Sequence, residues 1–477
     1  MPLVLGGSAA VTTAYSIDNS CRFNKGDSPK LYRTPAGDGN LTTWTFSSWF
    51  KRGGDMTTQS QIFSAKNSTN TTVMFHQDGH SYFEEYQGGS DMLKTDAIYK
   101  DPSAWYHMVY VWDTDNVTSG DTMRTYVNGV RITDFVIETY PAAGLTSLWN
   151  STLLNSIGYI TASYADYYMA ETVFIDGQAL DATSFGEFNE DSPTIWQPKD
   201  VSGLTFGTNG FHLDFEDSSA LGNDVSGNNN DFTSSGLDAA DQAQDSPTNN
   251  FCTINPLGGQ LANTSNTSWA LSEGNCLFTS ASIYSQWGAG TFGMTGGKWY
   301  WEIITDGTFD GNDNVPYLGV IKGDLMTARQ ALSSPTATSS DHASVTGKGN
   351  LYDFGSDTAL WGDTFQNGDL VMIAVDCDNG KLWWGINGTW QKTGTVGIPA
   401  DGTNPSITFT AGTLLVPYIL GWQDTTSANP IKCNFGGCPP FTITSGNADD
   451  NGYGNFEYDV PAGFLALCTK NLGSDGG

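Results

Sequence analysis

Two turns near the C-terminal end constrain the fold more than any other feature of the chain. Residues 370–377 (LVMIAVDC) form an apolar run that ends at a DNG turn, and residues 381–386 (KLWWGI) form a second run that ends at Asn387-Gly388. Asn-Gly between β-type runs is the strongest short-range hairpin signal, because a tight hairpin turn requires positive φ at both central residues. The pattern predicts a three-stranded antiparallel meander.

The composition suits short strands joined by many turns. Only 15% of the 477 residues are charged, against roughly 25% in typical soluble domains, and glycine contributes 56 residues. No segment shows the sustained i, i+3, i+4, i+7 periodicity of an amphipathic helix. With 38% hydrophobic residues, a chain of this length can build two sandwich cores and a connecting region.

The charge balance limits the class of partner. The chain has 51 acidic and 20 basic residues, a formal net charge of −31. Such a surface repels phosphate groups, so we expect no nucleic acid and no anionic membrane as partner. No apolar run approaches the ~20 residues of a membrane span, so membrane insertion is not expected. The N-terminus lacks the basic region of a signal peptide.

The seven cysteines give no sign of a metal site. They are scattered and odd in number, without CxxC or Cys/His spacing. Cys377 lies in a buried-type run, as a free core cysteine does. We therefore expect folding in a reducing cytoplasm.

Alternating apolar segments predict a first antiparallel sandwich over residues 15–195. Strand-like runs include 44–51 (WTFSSWFK) and 105–113 (WYHMVYVWD), and Asn128-Gly129 marks a hairpin. FSSWFK, WYHMVYVWD, TYVNGVRI and the later segment that contains ALD resemble, in this order, a concanavalin A-like, laminin G-type jelly roll. The resemblance implies two packed antiparallel sheets with a rim that can carry calcium.

A second resemblance covers much of residues 265–440. KWYWE, YLGV, the meander, LVPY and NFG follow one another in an order similar to that of a SPRY domain, with residues 322–350 as an insertion that departs from it. The resemblance implies a second two-sheet β-sandwich and favours binding over catalysis. The expected fold class is therefore all-β, with two antiparallel sandwiches.

Three further segments complete the predicted organisation. Residues 196–264 are expected to be an acidic, loop-rich connector, because Asp, Asn, Gly and Ser cluster there. Residues 1–14 form an apolar arm that either anchors the chain in a particle or oligomer or is disordered. Residues 441–477 form a tail expected to pack on the second sandwich. The phrase SPTNNFCTINPL and the tail resemble segments of predicted virion proteins of marine bacteriophages.

No catalytic constellation is recognisable, so we expect a non-enzymatic protein. A retaining glycosidase needs two carboxyl groups ~5–5.5 Å apart, and the Glu-x-Asp-x-x-Glu spacing of such enzymes on this fold does not occur. The five histidines stand in no G-x-S-x-G or H-x-x-x-H motif. His107 is expected to be a hydrogen-bonded structural residue. A surface-polysaccharide depolymerase is the enzymatic alternative.

Two kinds of candidate site remain. Asp310, Asn312 and Asn314 place oxygen atoms at alternate positions, as calcium loops do, but lack the downstream glutamate of an EF-hand. Residues 224–231 form a second oxygen-rich loop, and both loops also have ordinary turn compositions. No other cofactor is expected. Sugar recognition uses an aromatic face beside hydrogen-bonding groups, and the aromatic candidates in predicted loops are Tyr164, Tyr167, Trp361, Trp390 and Trp422.

These expectations favour a non-enzymatic bacteriophage virion protein, a fibre or spike component that displays carbohydrate- or receptor-binding sandwiches for host attachment. Its partners would be other virion proteins, copies of itself (for example in a trimer) and a host surface glycan or protein. It would be made in the host cytoplasm and lie on the virion surface. The structural alternative is a capsid decoration protein without a receptor role.

Overall fold

The computed structural model describes residues 4–5, 15–54, 59–68, 71–86, 92–256, 269–280, 286–306, 316–323, 340–358, 361–391, 395–421 and 429–475. The chain divides into a first unit, residues 11–249, and a second unit, residues 250–477 with residues 1–10. Within the described ranges almost all regular structure is β-strand, which confirms the predicted all-β class. No helix in these ranges is long and apolar enough to cross a membrane.

The strands up to residue 249 are, in chain order, β1 (Val4–Leu5), β2 (Ser20–Phe23), β3 (Lys30–Arg33), β4 (Thr43–Arg52), β5 (Ser60–Lys66), β6 (Thr71–Gln77), β7 (His80–Tyr86), β8 (Leu93–Thr95), β9 (Trp105–Asp113), β10 (Met123–Val127), β11 (Val130–Arg131), β12 (Phe135–Glu138), β13 (Asn155–Ile157), β14 (Tyr159–Ile160), β15 (Ser163–Tyr164), β16 (Tyr167–Asp176), β17 (Gly186–Phe188), β18 (Trp196–Pro198), β19 (Phe211–Leu213), β20 (Thr233–Ser235) and β21 (Gln242–Ala243). Short 3-10 turns occupy Lys25–Asp27, Ser119–Asp121, Ala182–Ser184 and Ala239–Asp241.

The later strands are β22 (Trp269–Ser272), β23 (Leu277–Ser280), β24 (Gln286–Ala289), β25 (Phe292–Gly293), β26 (Lys298–Thr305), β27 (Tyr317–Lys322), β28 (His342–Thr346), β29 (Leu351–Asp353), β30 (Ser356–Thr358), β31 (Leu370–Asp376), β32 (Lys381–Ile386), β33 (Thr389–Trp390), β34 (Ile407–Thr408), β35 (Leu415–Gly421), β36 (Asn429–Asn434) and β37 (Leu465–Ala466). The helix α1 spans Thr469–Asp475.

The first unit is a sandwich of two eight-stranded sheets. Sheet A has the order β11-β10-β9-β4-β16-β2-β21, with β19 also paired to β16, and sheet B has the order β12-β8-β7-β6-β5-β13-β3-β20. Alternate residues of each central strand face the other sheet, so that Trp44, Phe46 and Trp112 are fully buried between them. In sheet A the first strand of the unit, β2, pairs with its last, β21, and Ser20 lies opposite Ala243.

The outer face of sheet A is covered by the chain that follows β16. Phe185, Val201 and Phe206 of this chain pack on outward-facing valine and isoleucine side chains of β9 and β16. Further on, the Asp245 carboxylate lies 2.5 Å from the Lys51 ammonium group and accepts a hydrogen bond from Trp105 Nε1 at 3.0 Å. The central strands of sheet A are therefore buried on both faces, whereas its edge strand β11 is exposed.

The residues predicted as a connector, 196–264, are part of the first unit as far as residue 249. Strands β19 and β21 join sheet A, and β20 joins sheet B. Phe211, Leu213 and Phe232 fill the core between the sheets. Turn residues dominate this stretch, but its few large apolar side chains decide where it packs.

A cluster at a bulge in β16 closes another part of the outer face. The pairing of β16 with β4 shifts between Ala170 and Val173, and Glu171 adopts a φ of +47°, which is uncommon outside glycine. Its carboxylate lies 2.7 Å from His212 Nε2 and accepts a hydrogen bond from the Tyr15 hydroxyl at 3.2 Å. Burial lowers the pKa of His212, but the hydrogen bond and charge of Glu171 outweigh burial and raise it overall, with smaller contributions from nearby aspartates.

The second unit also contains two sheets. Sheet C has the order β22-β23-β36-β26-β31-β32-β33, with β34 on β32 and β37 on β26, and sheet D has the order β24-β35-β27-β28-β29-β30. The predicted meander is β31-β32-β33, and Asn387 and Gly388 have φ values of +47° and +83°, which confirms the hairpin turn. Cys377 is fully buried at its first turn, and burial raises the pKa of its thiol.

The C-terminal tail lies on the outer face of sheet C, where Phe456 and Phe464 pack against Tyr300 and Trp383. The fully buried Glu302 carboxylate accepts hydrogen bonds from the backbone N–H groups of residues 457 and 458 at 3.0 and 2.9 Å, from the Tyr300 hydroxyl and from the Asn434 amide. Burial raises the pKa of Glu302, and the hydrogen bonds oppose that shift. In the predicted N-terminal arm, β1 pairs in parallel with β25.

The buried pair of Lys51 and Asp245 offers a test of the covering segment. Asp245→Asn leaves the fully buried Lys51 ammonium without this carboxylate, which we expect to lower the free energy of unfolding of the first unit by about 3–5 kcal/mol. Urea-dependent hydrogen exchange of sheet A amides measures this free energy. Asp121→Asn is the control, because Asp121 pairs with Arg131 at an exposed position and such pairs contribute less than ~1 kcal/mol. Equal effects of the two substitutions would contradict the assignment.

His212 makes the stability of the first unit depend on pH. Because its pKa is raised in the folded state from 6.5, the stabilisation is complete below that pH and is lost as the pH rises through the folded-state pKa. We expect the free energy of unfolding to decrease above about pH 6.5 in the native chain, and to do so less in His212→Gln. Urea unfolding at a series of pH values measures both profiles. Parallel profiles would show that His212 carries no such linkage.

Candidate functional site

The covering chain leaves little open space on the described part of the outer face of sheet A. A cavity of about 10 Å³ lies between this sheet and the covering chain, enough for about one water molecule. Its lining includes Trp49, His107, Glu171 and Lys199. A polysaccharide strand has no room there while the cover is in place.

Ser47 and His107 lie within hydrogen-bond distance on this face, but their arrangement does not suit nucleophilic catalysis. Ser47 Oγ is 2.8 Å from His107 Nε2, and Trp196 Nε1 donates to His107 Nδ1 at 3.0 Å. An indole nitrogen only donates, so Nδ1 holds the lone pair and Nε2 holds the proton. A general base needs the lone pair at the atom that faces the serine. Burial also lowers the pKa of His107 to about 3, and these observations support its structural assignment.

The oxygen-rich loop at residues 224–231 is occupied by its own hydrogen bonds. The Asp224 carboxylate accepts from the backbone N–H of His212, from the N–H and hydroxyl of Ser226 and from the N–H of Asn230. This supports the turn interpretation of the loop. In the described part of the chain, no group of three His, Cys, Asp or Glu side chains is placed to hold a metal ion. The predicted calcium ligands Asp310, Asn312 and Asn314 lie outside that part.

The aromatic candidates occupy different environments. Tyr167 is the first residue of β16 and is buried in the first core, so the expectation that it lies in an exposed loop is corrected. Trp361 lies between β30 and β31, outside any strand as predicted, but its ring is buried in the second core. Tyr167 donates to the Ser60 carbonyl, and the Trp361 ring packs edge-on against Trp384. Trp390 is half-buried and packs against the cluster beneath the tail. Trp422 lies outside the described residues.

Tyr164 forms part of an aromatic surface group, which assembles on the outer face of sheet B. It pairs with Tyr159 in the β14-β15 hairpin, and their ring centroids are 5.0 Å apart. The Lys30 ammonium group lies 4.9 Å from the Tyr159 ring and 5.2 Å from the Tyr32 ring. All four side chains are half-buried. We call Lys30, Tyr32, Tyr159 and Tyr164 the tyrosine patch.

The alternation of β3 places the patch outward. Leu31 is fully buried in the core, so its neighbours Lys30 and Tyr32 face the opposite side of the strand. Tyr159 follows directly on β13, which pairs with β3. Sequence analysis singled out Tyr164 and missed the other three residues, although the short YITASY segment, two tyrosines around polar residues, carried a signal for Tyr159.

The hairpin that carries two of the rings is held at several points. Ser64 Oγ donates to the carbonyl of Tyr159 at 2.6 Å, Lys66 Nζ donates to Thr161 Oγ1 at 3.0 Å, and Ile160 packs on an outward-facing aromatic pair of sheet B. Thr161 and Ala162 have φ values of +45° and +63°, a conformation that is strained outside glycine and rare for a β-branched residue. Such strain persists only where the surrounding structure enforces it, so the hairpin is preorganised.

One family model matches part of the first unit. Residues 27–167 match the family described as the concanavalin A-like lectin/glucanases superfamily. A comparison with curated proteins finds no match.

Solved structures that resemble parts of the chain include the SPRY domain of human HERC1 (18% identity, 40% of this chain and 99% of that chain, TM-score 0.28) and the native heptameric SAP-like pentraxin from Limulus polyphemus (17%, 35% and 80%, TM-score 0.27). The PSpry domain of TRIM65 is a third (14%, 38% and 88%, TM-score 0.26). The family match gives the first unit a concanavalin A-like domain, as the sequence predicted, and this domain contains the whole tyrosine patch.

Proposed function

We propose that this chain is a non-enzymatic binding protein whose first unit attaches to carbohydrate through the tyrosine patch. In this proposal it is a fibre or spike component of a bacteriophage virion and displays its sandwiches toward the host surface. The observation that carries the binding role is the pair of half-buried tyrosine rings on a preorganised hairpin. The virion assignment rests on the resemblance of residues 246–257 and of the tail to bacteriophage segments.

The patch has the chemistry that sugar recognition requires. A sugar ring presents C–H groups on its face and hydroxyl groups at its edge, so it binds an aromatic face flanked by polar groups. Tyr159 and Tyr164 supply the faces, and Lys30 supplies hydrogen-bond donors beside them. Because the hairpin is held in place before binding, little conformational entropy is lost when a ligand docks.

The closed outer face of sheet A supports binding over hydrolysis. On this face the described carboxylates of Glu171 and Asp245 are committed to His212 and Lys51. A retaining glycosidase instead needs two carboxyl groups that face one open groove. The tyrosine patch lies on the other sheet of the sandwich, away from these groups.

Alanine substitutions in the patch test the proposal. We expect Tyr159→Ala and Tyr164→Ala each to weaken binding of the full chain to its polysaccharide roughly tenfold, because an aromatic contact contributes about 1–1.5 kcal/mol. Binding is measured with labelled protein on intact candidate host cells, before and after their surface glycans are stripped, and on a panel of purified bacterial surface polysaccharides.

Phe188→Ala is the matched control, since Phe188 is an exposed aromatic residue that packs against Trp196 on the sheet A side. Saturable binding that disappears on glycan removal and falls in the two tyrosine variants alone supports the proposal. Absence of binding to every cell and polysaccharide tested, or equal loss in the control, would refute it.

A further inference from the structure

We infer that the ligand of the tyrosine patch is an anionic polysaccharide, one that carries carboxylate or sulfate groups, and that Lys30 and Lys66 recognise its charge. This inference rests on the proposed function and specifies the class of ligand. On the outer face of sheet B, lysine side chains lie beside aromatic rings, although the chain as a whole has a negative net charge.

The three segments that form the patch, its hairpin and the strand beneath it reverse the charge of the chain. Residues 28–35, 60–66 and 155–165 contain no aspartate or glutamate, and Lys30 and Lys66 lie on this side. Arg33 faces the opposite side of β3, where it donates to the Asn209 carbonyl and to Asn230 Oδ1. The chain as a whole has 51 acidic and 20 basic residues. The overall composition would predict an excess of negative charge on any surface of this chain. The local excess of positive charge is therefore a specific feature of this one.

Lys30 is held where its charge is available to a ligand. Its ammonium group lies over the Tyr159 and Tyr32 rings at 4.9 and 5.2 Å, which orients the side chain through cation–π attraction. Ring faces do not use up the three N–H donors of an ammonium group in hydrogen bonds. These donors can therefore meet an acidic group on a sugar that stacks against the same rings.

Lys66 supplies a second cation at the tip of the hairpin. Its side chain is exposed, and its Nζ donates a hydrogen bond to Thr161 Oγ1. The hairpin that carries Tyr159 and Tyr164 thus has Lys30 beside its base and Lys66 beside its tip. Two cations along one hairpin suit a polymer with repeated acidic groups better than a single charged sugar.

The contrast with other lysines supports a recognition role. Lys51, Lys298 and Lys432 each face an aspartate. Among the described ion pairs none involves Lys30 or Lys66. At about 0.15 M salt the Debye length is about 8 Å, so distant carboxylates repel an incoming anion only weakly while these two lysines act in contact with it.

The test compares neutral and anionic members of the polysaccharide panel, with the full chain and at two salt concentrations. We expect Lys30→Gln combined with Lys66→Gln to weaken binding to the anionic members at least tenfold and to remove most of its salt dependence. We expect Lys30→Arg, which keeps the charge and the stacking on the rings, to retain binding. Carboxylated and sulfated members are assayed separately, which identifies the acidic group.

Lys322→Gln is the matched control, because Lys322 also lies over an aromatic ring, at 5.0 Å from Phe354, in the second unit. Preference for anionic members that is lost in the double variant and kept in the control supports the inference. Equal binding of neutral and anionic members overturns the inference and leaves the proposed function intact. Binding to no member overturns the proposed function, and the inference with it.

Discussion

Two buried carboxylates hold covering segments against the outer faces of sheets A and C. They therefore decide which parts of these sheets remain accessible to solvent. Burial of a carboxylate costs several kcal/mol unless hydrogen-bond donors or cations surround it. In each unit the buried carboxylate and its donors come from segments that are distant in sequence. In the first unit Asp245 comes from the covering chain and finds Lys51 and Trp105 on sheet A. In the second unit Glu302 stands on sheet C and receives the backbone N–H groups of the tail. In both units the cover and the sheet therefore depend on each other.

The covering segments make the sheet faces beneath them inaccessible to a large ligand. On the described outer face of sheet A, the cavity beside the Ser47–His107 contact holds about one water molecule. The outer face of sheet B instead carries a hairpin that keeps aromatic rings half-buried and within reach of solvent. Thr161 and Ala162 adopt strained positive φ values, and backbone strain of this kind is concentrated at functional sites.

Local signals in the sequence predicted the local structure well. Asn387-Gly388 marked a real hairpin turn, because its geometry depends on two residues alone, and alternating apolar runs identified the central strands. The expectations failed where burial depends on distant partners. Tyr167 begins β16 just after the β14-β15 hairpin, but its ring is fully buried in the core, and Phe211 and Phe232 draw a turn-rich stretch into the first sandwich. The tyrosine patch joins β3 to a hairpin far along the chain, so one of its members was predicted and three were not.

The pairing of β2 with β21 has a consequence for how such a sandwich is used. Ser20 lies opposite Ala243, so the polypeptide enters and leaves the first unit on neighbouring strands of one sheet. A folded body whose two ends emerge side by side can be inserted into a host loop, or exchanged for another of its kind, without a change in the path of the flanking chain. The first unit thus has the geometry of an interchangeable cassette, which allows the sandwich that carries the tyrosine patch to be replaced while the rest of the protein stays the same.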